Sequence, residues 1–139
     1  MRRVTYLGGV ARAVLAAGPI FVLAVTFGSL LVDPGAFDPI WLFTIIPVLM
    51  MSIAIGMLIS AVPIVVGGAA MAFAGVKWPR TRGREIWAGA GAMLGMALVL
   101  PLDIPGTPSS WEHYALMAFT GGICALIVRR GTYWSVDNA

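Results

Sequence analysis

Charge is nearly absent from four stretches of this chain and crowded into the connections between them. Residues 13–32, 40–75 and 86–102 carry no ionisable carboxylate or base, and 111–128 carries only Glu112 and His113. A helix needs about 20 apolar residues, range about 17–25, to cross a bilayer. Three of the runs match that length. The second, 40–75, is long for one span and barely long enough for two.

With 139 residues, 60% hydrophobic and 11% charged, the chain falls far below the roughly 25% charge of a soluble domain. It is too small to hide so much apolar surface from water. The class is therefore an all-α integral membrane protein, a single domain.

The bases decide the threading. Arg2, Arg3 and Arg12 precede the first run, Lys77, Arg80, Arg82 and Arg84 separate the second from the third, and Arg129 and Arg130 follow the fourth. The other two connections carry Asp33, Asp38 and Asp103, with no base. Four spans place all nine bases on one side. By the positive-inside rule that side is the cytoplasm, with both termini on it. Splitting the second run would move 77–84 outside and put a turn in lipid near 60–68, where backbone groups lack partners. The predicted spans are 13–32, 47–75, 86–102 and 110–128. Asp38-Pro39 opens the second helix as a cap and first residue. Pro47 and Pro63 should kink or break it, leaving 40–46 as a short interfacial piece.

Trp and Tyr agree with this threading, since their rings favour the membrane boundary. Trp41, Trp111 and Tyr114 fall near the expected outer edge. Tyr6, Trp78, Trp87, Tyr133 and Trp134 fall near the inner one. The first run is longer than a secretory core and has no small-x-small cleavage site, so it reads as a retained span. The setting that fits is a bacterial-type inner membrane.

Small residues recur along each run: Ser52, Gly56, Ser60 and Gly67 in the second, Gly91 and Gly95 in the third, Gly122 in the fourth. In lipid, small residues let backbones approach and dispersion supplies the attraction. The stripes predict a four-helix bundle, or a seam between two copies.

Chemistry is sparse. Ser109 and Glu112 form a capping box ahead of the fourth run, which accounts for that carboxylate without catalysis. His113, Glu112 and Asp103 make a weak candidate polar site on the outer face. Adjacent helical residues point about 100° apart, and the spacing supports no metal set. A single histidine excludes a bis-histidine haem, and a single cysteine, Cys124, excludes dithiol exchange. No Asp, Glu, Lys or Arg lies mid-span, where such charges would mark proton-coupled transport. Lys77, Arg80, Arg82 and Arg84 set topology and are candidates for contact with anionic lipid head groups. No cofactor is expected, and no nucleic acid. The expected partners are the lipid bilayer and another membrane protein or a second copy. The leading functional reading is a non-catalytic accessory or scaffold subunit acting through helix packing. The alternative is a small homo-oligomeric channel or transporter lined by Ser52 and Ser60, and an enzyme working through His113 ranks third.

Overall fold

A computed structural model describes residues 2–32, 39–100 and 111–136. The elements, in order, are strand β1 (Arg2–Thr5), helices α1 (Leu7–Val32) and α2 (Pro39–Lys77), a 3-10 turn (Pro79–Arg82), helices α3 (Arg84–Ala97) and α4 (Trp111–Arg130), and strand β2 (Tyr133–Val136). Three of these helices are long and apolar enough to cross a membrane, over Leu7–Leu30, Ile46–Lys77 and Trp111–Arg130.

Helix α3 is the exception. It has 14 residues, about 21 Å at 1.5 Å per residue, and a turn follows at residues 98–100. Of the run expected over 86–102, the α-helix reaches Ala97, and residues 101–102 lie outside the described ones. Helix α2 differs in the opposite direction. It runs unbroken for 39 residues with Pro47 and Pro63 inside it, so 40–46 continues the helix and is not a separate piece. Each proline removes one backbone bond, whereas opening the helix in apolar surroundings would orphan several more.

The chain ends meet. β1 pairs antiparallel with β2, from Arg2 opposite Val136 to Thr5 opposite Tyr133. The sequence reading missed this sheet, because four-residue strands show almost no period. The sheet, the start of α1, the end of α2, the start of α3 and the end of α4 share one end of the bundle, here the sheet end. All nine bases belong to segments at that end.

Helix seams are made by backbone contact. A Cβ on Gly91 would overlap the Gly121 carbonyl, and one on Gly95 would overlap the Met117 carbonyl, so α3 and α4 lie against each other. Gly18 of α1 faces the backbone of Ser52 and Gly56 in α2. Gly9 and Gly131 hold the start of α1 to the end of α4 in the same way. Gly122 sits at the edge of its seam, where a Cβ would lie 3.4 Å from the Ala88 carbonyl. The buried core of Val10, Ala13, Ala17, Trp87, Cys124 and Val128 gathers around α1 and α4. Gly67 behaves differently. Its Cβ would meet only the Leu94 side chain, at 3.0 Å, and α2 and α3 do not close on each other.

Candidate functional site

The space left between α2 and the α3–α4 pair is a cleft of about 540 Å³, within the roughly 300–1,000 Å³ common for ligand sites. Met51, Ile59 and Ile64 of α2, Leu94 and Leu98 of α3 and Met117 of α4 form much of its wall. The ridges and grooves that seal α3 on α4 have no counterpart here, because Leu94 stands where a glycine would be needed for contact.

Two polar atoms in this wall are orphaned. Among the described residues, Ser60 Oγ and Trp87 Nε1 are buried with no hydrogen-bond partner, and both residues line the cleft. Trp87 is only 1% exposed. It is therefore not the lipid-boundary anchor the sequence suggested; Trp78, Trp111 and Tyr133 are exposed as that role requires. A buried donor without an acceptor costs about 1–3 kcal/mol. Ser60 contrasts with Ser52, whose hydroxyl donates to the Leu49 carbonyl at 2.8 Å, and with Thr120, which donates to the Leu116 carbonyl at 2.9 Å. Pro63, one turn on, also has no N–H to offer the Ile59 carbonyl.

At the sheet end a second tryptophan packs against Trp87, outside the cleft lining itself. Trp134 of β2 donates from Nε1 to the Ala72 carbonyl at 3.1 Å and meets Trp87 edge-on, with ring centroids 6.4 Å apart. Arg82 and Arg129 stack on the Trp134 ring at 5.1 and 4.7 Å. The Arg82 Nε donates to the Gly75 carbonyl at 2.8 Å, and the Arg129 Nε to the Arg82 carbonyl at 2.7 Å. Those bonds fix the two guanidiniums and leave their remaining N–H groups. Arg84 and Arg82 both repel the Arg129 charge. Arg84 and Arg130 edge a separate surface depression that also contains Glu85.

The candidates from the sequence distribute as follows. Ser52, Gly56, Ser60, Gly67, Gly91 and Gly95 all line the cleft, although Gly56, Gly91 and Gly95 also touch neighbouring backbones. Lys77, Arg80 and Arg84 are exposed at the sheet end, with the Lys77 ammonium 5.1 Å from the Trp78 ring centroid, and Arg82 is fixed as described. Glu112 and His113 are exposed in the first turn of α4, at the far end. Asp103 and Ser109 lie outside the described residues, and with them the three-residue polar site and the capping box. Among the described residues no cluster of His, Cys, Asp or Glu could hold a metal ion. Sequence reasoning missed the Trp87–Trp134–arginine arrangement. The β-forming residues Tyr133, Trp134 and Val136 were its only signal.

No family model, no curated protein and no solved structure matches the chain.

Proposed function

We propose that this is a non-catalytic, multi-pass membrane protein with four crossings and both termini on the cytoplasmic side of a bacterial-type inner membrane. It acts as an accessory subunit that holds an apolar molecule or segment in the cleft beside α2. The cleft carries this reading: apart from the Cys124 thiol, its lining contains no ionisable group. An acid–base or metal reaction needs such groups, and an ion path through lipid is marked by them. Pairing of β1 with β2 supports an even number of crossings, since paired strands keep both termini on one face. In that arrangement α3 crosses with the help of the residues after Ala97.

The channel reading rests on Ser52 and Ser60. It is weakened by the Ser52 hydroxyl, which is spent on its own helix. Purified protein in sealed liposomes separates the two. The accessory reading expects no ion or solute flux, and one stoichiometric companion when the protein is purified from native membranes. Flux that is lost on Ser52→Leu or Ser60→Leu would overturn it. Reporter fusions after Asp33 and after Arg82 should score outside and inside; the reverse would overturn the threading.

A further inference from the structure

We infer that the occupant of the cleft is an anionic phospholipid drawn from the leaflet on the sheet side. One acyl chain lies along α2, an ester carbonyl accepts a hydrogen bond from Trp87 Nε1, and the phosphate rests on Arg82 and Arg129. The inference rests on the membrane reading above and names the ligand class for the same cleft.

Three independent features converge on it. The first is the wall, which is apolar over its length and offers a chain nothing but dispersion contacts until Ser60. The second is the orphaned donor. Trp87 is almost fully buried, and its Nε1 has no acceptor among the described residues. It lies in the first turn of α3, near the sheet end. A partner helix would fit this donor poorly, because its carbonyls are spent within the helix. A lipid ester brings an oxygen with free lone pairs.

The third feature is charge. Beyond Trp87 comes the Trp134 ring, and on that ring lie Arg82 and Arg129. Both are held by backbone carbonyls, with no carboxylate partner among the described residues. The carbonyl and phosphate of one lipid are joined by a short glycerol linkage, so donor and cations are set out in the order that a phospholipid presents their partners. A zwitterionic lipid offers the same carbonyl. The surplus of bases at this end, Lys77, Arg80, Arg84 and Arg130 included, selects for net negative charge.

The test is native mass spectrometry of the full chain after exposure to vesicles of equal parts phosphatidylglycerol and phosphatidylcholine. The wild type should retain one lipid, with phosphatidylglycerol favoured about tenfold. Arg82→Gln with Arg129→Gln should abolish the preference and leave residual binding of both lipids. Trp87→Phe, which keeps the ring and removes the N–H, should weaken retention of both roughly threefold to tenfold without altering the preference. Gly67→Leu, which directs a side chain toward Leu94 across the cleft, should abolish retention while circular dichroism shows the helices intact. Equal retention of the two lipids by the wild type would overturn the inference. So would retention unchanged by both Gly67→Leu and Trp87→Phe, or no retained lipid at all. The fusion experiment above fails or succeeds separately: correct fusions with no retained lipid would remove the lipid assignment alone.

Discussion

The two ends of the bundle are built on different principles. At the sheet end, polar and aromatic groups stitch four helices and both chain termini together: β1 on β2, Trp134 on Ala72, Arg129 on Arg82, and Gly9 against Gly131. Toward the far end, few such ties appear among the described residues. There α1 and α2 present Phe27, Leu30, Phe43 and Met50 outward, as surfaces for lipid. Apolar helices in a bilayer gain little from burying apolar area against each other. Close backbone approach and oriented polar groups must locate them. Where those are absent, between α2 and α3, a cleft remains.

Substitutions at the two ends should therefore differ sharply. The largest effect is expected for Gly131→Leu, which drives a side chain into the Gly9 backbone. Overpacking at such a contact costs about 3 kcal/mol, and thermal unfolding in detergent should show it as a large fall in Tm. A wild-type melt would break the idea that this contact locates the helices. Next come the two tryptophans. Trp134→Phe removes the bond to the Ala72 carbonyl, whereas Trp87→Phe removes a donor that has no partner. In lipid-depleted detergent the first should therefore cost about 1 kcal/mol more than the second. Equal losses would mean that the Trp87 donor is satisfied. The smallest effect belongs to Gly28→Ala. Nothing lies within 4 Å of a Cβ there, so improved helix propensity should raise stability by about 0.5 kcal/mol. A destabilising result would reveal a neighbour packed on that face.

Much of this contrast was legible in the sequence, though not all. The three long spans follow from charge-free length, and the clustering of the bases at one end follows from where they interrupt it. Gly91 and Gly95 were readable as seam residues because a four-residue spacing repeats on one helix face. Regular spacing also relates Ser60 to Gly67, yet both line the open cleft. Such spacing marks a smooth face without saying whether a neighbour comes close enough to use it, and Leu94 on the opposite helix keeps the two apart. Trp87 lies at the expected end but is buried there. Its position near a charged loop suggests a boundary anchor, whereas packing with α1, α4 and Trp134 buries it. The pairing of β1 with β2 joins segments at opposite ends of the sequence, and no local pattern records that.

The pairing of the termini also offers the most direct test. A distinct epitope on each end can be probed with protease in intact spheroplasts and in sealed inverted vesicles. Both epitopes should survive in the spheroplasts and both should be lost in the inverted vesicles. Epitopes on opposite faces would contradict the fold, because two strands of four residues cannot pair across a bilayer.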